Sequence, residues 1–231
     1  MTSLFQKLIA GGPERKTRLH DEMGNLVSLR NLILHGPLAG MTWVGKVCFG
    51  YRPAVPWMSF SAIRLIRQFL DKDKTVLEFG SGMSTIWFAK QSRFVYSVED
   101  FEPWYLKVKS LITVRHITNI DYSFLQGNQY SSYMLHSGQK LNLIIIDGNQ
   151  RGRCAETAVQ LIADGGMIYL DNSDKHSLGQ GGDTRDAEKT LLEFAFTKGA
   201  AIRYFVDFSP CDIFVQQGML VILQGCSLAH T

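Results

Sequence analysis

The sequence predicts a doubly wound α/β domain: a mostly parallel sheet, helices on both faces, a closing antiparallel hairpin, and a helical arm in front. Three observations predict it. From Pro56 onward, short β-branched and aromatic runs alternate with segments of helical periodicity. One run, Leu141-Asn142-Leu143-Ile144-Ile145-Ile146, is almost continuously apolar, as a central parallel strand buried on both faces must be. Two β-rich runs, Ala201 to Phe208 and Gly218 to Leu223, end the pattern and can pair as the hairpin.

The elements follow in order. Residues 1 to 55 form the arm, punctuated by turn signals at Gly11-Gly12-Pro13, Gly36-Pro37 and Arg52-Pro53. Leu4, Phe5, Leu8 and Ile9 can share a helical face there, as a lid, a dimer contact, a membrane-surface anchor or simple packing. Residues 56 to 231 form the main domain. Ile63, Ile66 and Leu70 mark a helix, Thr75 to Phe79 a strand, and Ile86, Trp87 and Phe88 the next helix. A strand at Phe94 to Val98, a helix at Trp104 to Leu111 and a short strand at Val114 to Ile117 come next. The stretch from Asp121 to Lys140 carries no clear signature. After the apolar strand, Cys154, Ala158, Leu161 and Ile162 make a helical stripe, and Gly165-Gly166 turns the chain into a strand at Met167 to Leu170. A polar loop, Ser173 to Asp183, and a helix around Leu191 and Phe194 lead to the hairpin.

Composition narrows the classes of function. With 231 residues, 45% hydrophobic and 19% charged, the chain can bury one sizeable core and is neither disordered nor fibrous. The net charge of +3 gathers at the start, where residues 1 to 52 hold seven Lys or Arg against three acids. The rest is near neutral, so no nucleic-acid partner is expected. Cys48, Cys154, Cys211 and Cys226 show no CxxC spacing and no His at a zinc-like interval, which predicts reduced, packed thiols. No apolar run approaches the roughly 20 residues that cross a bilayer, and the start lacks a leader pattern. A cytoplasmic protein is the default expectation, with the arm available for a homodimer.

The chemistry sits at strand ends, where open α/β sheets bind ligands. Acids fall at four of them: Glu78, Glu99, Asp147, and Asp171 beside Asn172. Any one alone would be read as a helix cap or a solvated turn. Gly80 and Gly82 strip side chains from a strand-to-helix turn, so a ligand can approach the backbone N–H groups. A dinucleotide fingerprint would need a third glycine where Thr85 stands, and Glu78 would oppose a pyrophosphate. Glu99 lies 19 positions after Gly80, the interval at which a carboxylate accepts ribose hydroxyls. Asp100 is its neighbouring rival, better suited to capping the next helix.

Glu-x-Gly-x-Gly after one strand and Ser-Val-Glu at the end of the next resemble the class I S-adenosylmethionine-dependent methyltransferases, over roughly residues 60 to 223. The resemblance implies a Rossmann-like sheet and S-adenosylmethionine as cofactor. It places cofactor contacts at Glu78, Phe79, Gly80, Ser81, Gly82, Ser84, Thr85, Glu99 and Asp147, with the Asp121 to Tyr122 region bordering the adenine. Ile146-Asp147-Gly148 and Tyr169-Leu170-Asp171-Asn172 are similar to the metal-dependent catechol-type and caffeoyl-coenzyme-A-type O-methyltransferases. In that likeness Asp147, Asp171 and Asn172 would ligate Mg²⁺ or Mn²⁺, with Asp171 24 positions after Asp147. The run Gly148-Asn149-Gln150-Arg151 departs from the metal enzymes and looks instead like another branch of the superfamily. The alternative for these residues is that Asp171 and Asn172 cap their loop while Asp147 accepts from Arg151.

The expected reaction is methyl transfer to a small-molecule acceptor, with a hydroxyl oxygen the first expectation and nitrogen open. Asp147, Lys175 and His176 are the candidate bases, the last two also readable as exposed loop residues. Trp43, Tyr51 and Trp57 could wall an acceptor pocket or pack the arm. A nicotinamide-dependent oxidoreductase and a non-catalytic module of the same fold are the competing readings.

Overall fold

The computed structural model describes residues 11, 14–175 and 183–227. The arm contributes one long helix, α1 (Leu29–Phe49), and the main domain opens with α2 (Phe60–Phe69). Then come β1 (Thr75–Phe79), α3 (Met83–Gln91), β2 (Phe94–Glu99), α4 (Glu102–Val114), β3 (Ile120–Phe124) and the short α5 (Asn128–Ser131). The chain continues through β4 (Leu141–Ile146), α6 (Arg151–Leu161), β5 (Ile162–Leu170), α7 (Thr184–Lys198), β6 (Ala201–Asp207) and β7 (Gln216–Ile222).

The seven strands lie in the order β3-β2-β1-β4-β5-β7-β6. The pairs from β3 to β5 are parallel, and β7 runs antiparallel to both β5 and β6. This is the expected doubly wound, Rossmann-like sheet with its closing hairpin. The winding reverses between β1 and β4, so the crevice beyond their carboxyl ends is where a ligand belongs.

The core has two layers because β4 is buried on both faces. Ile144 and Ile146 pack with Cys154, Ala158 and Leu161 of α6 and Leu191 of α7. Leu143 and Ile145 pack on the other side with Ile66 and Phe69 of α2 and Phe88 of α3. Side chains alternate along a strand, and helices supply an apolar stripe to each face. Ser59 caps α2, its hydroxyl accepting from Ala62 N at 3.1 Å.

Two predicted elements move. The short strand predicted at Val114 to Ile117 is instead the last residue of α4 and the turn that follows it, and β3 begins at Ile120. The helix stops because His116 adopts a left-handed conformation, φ 51°, which breaks the helical ladder. The strand predicted from Met167 begins at Ile162 and runs through Gly165, φ +69°, absorbing the glycines as an irregularity in its pairing with β4. Gly165-Gly166 therefore bends a strand rather than ending it.

The arm is seated on the hairpin end of the sheet. His35 Nδ1 meets Asp207 Oδ2 at 2.8 Å, and the same oxygen accepts from Ser61 N and Oγ. Thr42 Oγ1 accepts from Cys211 N at 2.9 Å, and Lys46 Nζ donates to Cys211 O. Ahead of α1, Glu22 pairs with Arg15 and with Lys175 at 2.9 Å. No unbroken apolar run of that length is present, although α1 as a whole has the length and mean hydropathy of a helix that could cross a membrane. His35, Gly36, Pro37 and Lys46 interrupt the run in sequence, but they do not break the 21-residue helix. The Leu4, Phe5, Leu8 and Ile9 face lies outside the described residues.

Candidate functional site

The site is built on the turn after β1. Gly80 takes φ +90°, a conformation that L side chains rarely adopt. A Cβ there would also lie 2.6 Å from Gly148 N, so the turns after β1 and β4 meet backbone to backbone. Gly82 then starts α3, and its N–H donates to Thr85 Oγ1 at 3.0 Å. Thr85 stands where a dinucleotide fingerprint needs its third glycine, and its hydroxyl is part of the turn.

Glu78 lies beneath this turn, buried. It accepts hydrogen bonds from the hydroxyls of Ser84 and Thr85 and from Ser97 Oγ at 2.8 Å. Burial pushes its carboxyl up to about 7, against the lowering effect of those three bonds and with a further push from Glu99. Three hydroxyls engage both oxygens, so Glu78 shapes the turn from below. Phe79 likewise turns inward: its ring packs edge-on to Tyr130 in the core, and only its backbone, accepting from Asp147 N at 2.9 Å, reaches the site.

Glu99 ends β2 on the other side of the turn. Its Oε2 accepts from Ser81 N at 3.0 Å and Ser81 Oγ at 2.7 Å, and its Oε1 accepts from the N–H groups of Asp100 and Phe101. Four donors hold the carboxylate beside the Ser81 backbone. Asp100 instead accepts from Asn149 Nδ2 at 2.8 Å and ties the β2 and β4 turns together. In the stretch expected to border the adenine, Tyr122 OH reaches Ser81 Oγ at 2.7 Å and its ring lies 4.7 Å from that of Tyr105. Asp121, the other residue named there, is exposed.

At the ends of β4 and β5 the second group converges. Asp147 and Asp171 share a side-chain hydrogen bond, and Arg151 sits over them: Nη1 donates to Asp171 O at 2.6 Å and Nη2 lies 3.6 Å from Asp147 Oδ1. Desolvation raises the Asp147 carboxyl to about 6, with Arg151 opposing and Glu78 and Glu99 adding to the rise. Yet 40% of its side chain reaches solvent. The full shift therefore belongs to a cleft filled by ligand, and it is smaller while water has access. Asp171 is buried with Tyr169 OH donating to it at 3.0 Å. Burial and then the neighbouring Asp147 hold it well above the ordinary carboxylate range.

This donor set does not fit a divalent cation. Asn172 Oδ1 faces Arg151 at 3.5 Å, while its Nδ2 donates to Gln216 Oε1 at 3.0 Å. A guanidinium thus stands against two of the three side-chain oxygens predicted to ligate Mg²⁺ or Mn²⁺, those of Asp147 and Asn172, and holds the main-chain oxygen of Asp171. Among the described residues, no group of three or more His, Cys, Asp or Glu side chains could hold a metal ion. Arg151 braces Asp147 as an ion pair at 3.6 Å, while the side chains of Asp171 and Asn172 bond Tyr169, Gln216 and Arg151 rather than capping the loop that follows.

Two cavities meet here. The smaller, about 80 Å³, is lined by Trp57, Ser81, Gly82, Met83, Ser84, Trp104 and Asp147. The larger, about 210 Å³ and more polar, is bounded by Lys46, Trp57, Asp147, Asp171, Cys211 and Gln216, among others. Trp57 and Asp147 belong to both walls. Of the two candidate bases among the described residues, Asp147 lines these cavities and Lys175 is paired with Glu22; His176 lies outside the described residues. Of the three arm aromatics, Trp57 lines the site, Trp43 lines a separate apolar cavity of about 560 Å³ beside α1, and Tyr51 is exposed. Sequence reading missed Trp104, whose Nε1 donates to Ser81 O at 2.8 Å, and the wall residues Ser209, Cys211 and Gln216. Trp104 could have been found from its position in the first turn after Glu99; the other three carry no local signal.

No protein-family model and no curated protein matches the sequence. Solved structures do match the fold. An O-methyltransferase from Bacillus cereus in complex with SAH aligns with TM-score 0.59 at 14% identity, over 81% of this chain and 99% of that one. An O-methyltransferase from Streptomyces achromogenes involved in tomaymycin synthesis, in complex with SAM, aligns with TM-score 0.57 at 14% identity, over 81% and 90%. An rRNA methylase from Streptococcus thermophilus aligns with TM-score 0.53 at 16% identity, over 75% and 98%. The fold is that of these methyltransferases.

Proposed function

We propose that the chain is an S-adenosylmethionine-dependent methyltransferase that methylates a hydroxyl of a small-molecule acceptor. One observation carries this reading: the cavity under the Gly80–Gly82 turn and the polar cavity at the β4 and β5 ends share Asp147 and Trp57. A donor and an acceptor in those cavities would face each other at an ionisable carboxyl.

The residues suit the cofactor. Gly80 and Gly82 leave the turn open to it, Glu99 stands at the ribose-binding strand end, and Trp57 and Trp104 supply apolar walls. When bound, S-adenosylmethionine supplies a methyl group on a positively charged sulfur; the acceptor oxygen bonds to that carbon as the carbon–sulfur bond breaks. The protein's part is alignment and exclusion of water. Glu99 is saturated by four donors, so ribose hydroxyls would take the places of Ser81 Oγ on its outer edge. Glu78 fixes the turn and adds negative potential beneath a cationic ligand. Asp147 accepts the acceptor's hydroxyl proton, while Arg151 favours the charged form of Asp147.

Calorimetric titration with S-adenosylmethionine, S-adenosylhomocysteine and NAD tests the reading. Binding of the first two and not of NAD is expected. Binding of NAD alone would move the chain to nicotinamide chemistry, which the hydroxyl of Thr85 and the acid of Glu78 oppose.

A further inference from the structure

Helix α1 is apolar on the side it turns to solvent. Leu29, Ile33, Leu34, Leu38, Met41 and Val44 are all exposed, Leu29 by 72% and Met41 by 71%. Ala39 is the helix's one fully buried residue. The inner side carries the polar contacts already described, at His35, Thr42 and Lys46. Soluble surfaces seldom leave a contiguous patch of this kind bare.

Both flanks of α1 return to the same part of the molecule. On the N-terminal side, Val215 N donates to Arg18 O at 2.9 Å, and Val27 is buried in a cluster with Phe208 and Val215. On the C-terminal side, Gln216 Nε2 donates to Trp57 O at 3.2 Å. A helix anchored in this way cannot cross a bilayer without giving up those contacts. It can lie in the plane of one, with its apolar side in the headgroup and acyl boundary.

Charge selects the partner. The helix holds Arg30 and Lys46 and no acid, and Lys16 and Arg30 are exposed. Of the nearby acids, Asp21 accepts from Asn25 and Gln217 and Glu22 pairs with Arg15 and Lys175, both turned inward, which leaves Glu14 exposed against Lys16 and Arg30. A second copy packed along α1 would bring two basic surfaces together, whereas anionic lipid headgroups would neutralise one. We propose that α1 is an in-plane membrane-binding helix that docks the protein on anionic lipid surfaces.

Vesicle flotation of the full chain tests this, with phosphatidylcholine vesicles carrying or lacking phosphatidylserine. The protein is expected to float with the anionic vesicles, less so at high salt. The double variant Ile33→Glu, Met41→Glu is expected to lower the bound fraction on the order of tenfold or more. Its thermal unfolding and S-adenosylhomocysteine titration report the fold and the cofactor site separately, so failure here is distinct from failure of the proposed activity. Absence of flotation with either vesicle overturns the proposal, as does flotation unaffected by the two substitutions in a folded protein. A solution dimer, seen by light scattering and dissociated by the same pair without any vesicle binding, would also overturn it and assign the surface to self-association.

Discussion

Gly80 and Gly148 sit in backbone contact, the one residue closing β1 and the other following β4, with 2.6 Å between Gly148 N and the place where a Cβ on Gly80 would stand. Gly80→Ala combines that clash with a left-handed backbone. The two effects together are expected to cost about 2–4 kcal/mol. Chemical denaturation should show the loss. Cofactor titration should show weakened binding even in conditions where the variant stays folded.

Glu99→Ala should weaken S-adenosylmethionine and S-adenosylhomocysteine alike. Hydrogen bonds to a charged group contribute roughly 1.5–3 kcal/mol, equivalent to about ten- to a hundredfold in affinity. Isothermal titration of the folded variant measures this. Unchanged affinity would remove Glu99 from the ribose position and leave it as a brace for Ser81.

The buried Glu78 carboxyl, raised to about 7, gives a stability signature whose sign is fixed. An unfolded glutamate releases its proton near the ordinary value of about 4.3, so between that pH and about 7 the folded chain binds more protons than the unfolded one. Stability from this group is present in full below the unfolded value and falls as pH rises towards 7. Glu78→Gln, which cannot ionise, should flatten that part of the profile relative to the parent. Melting temperatures from pH 4 to 8 for the two proteins supply the comparison.

If Asp147 takes the acceptor's proton, kcat, which reports the occupied cleft, should rise with pH through an apparent value near 6. The pair Asp147 and Asp171 titrates together, so the limb belongs to both. Asp147→Asn should lower turnover by about 10²- to 10⁴-fold and abolish the limb. Arg151→Ala should move the limb to higher pH, because the guanidinium favours the ionised form. Cofactor affinity should change little in the arginine variant.

Chelation separates the guanidinium from a metal. With Arg151 over the Asp147, Asp171 and Asn172 oxygens, turnover of a methylated acceptor should persist in EDTA and gain nothing from added Mg²⁺. Loss of activity in EDTA with recovery on Mg²⁺ would restore the metal reading that the strand-end acids alone suggested.

The strand ends were legible because periodicity and polarity agree there: Thr75–Phe79 and Leu141–Ile146 are apolar runs that each lead to an acid or a glycine. β3 was not legible, since its alternation of Ile120, Tyr122 and Phe124 is short and only half buried, and Val114 to Ile117 looked equally strand-like. The roles of Glu78 and Phe79 were less legible than their positions. The motif locates the turn, but whether a carboxylate faces the ligand or three hydroxyls beneath it depends on Ser97, supplied by a neighbouring strand. Ser209, Cys211 and Gln216 come to the site from far along the chain, and no local pattern announces them. The exposure of α1 is a fact of packing: the same residues could have been a core helix.

Trp57 and Asp147 form a party wall between the two cavities, and this has a thermodynamic corollary. A group held in one chamber sets the position of a partition that the other chamber also uses. Any change in affinity that an occupant of the first causes in the second must be returned in equal measure. Whichever guest arrives first, it alters the reception of the other by the same factor.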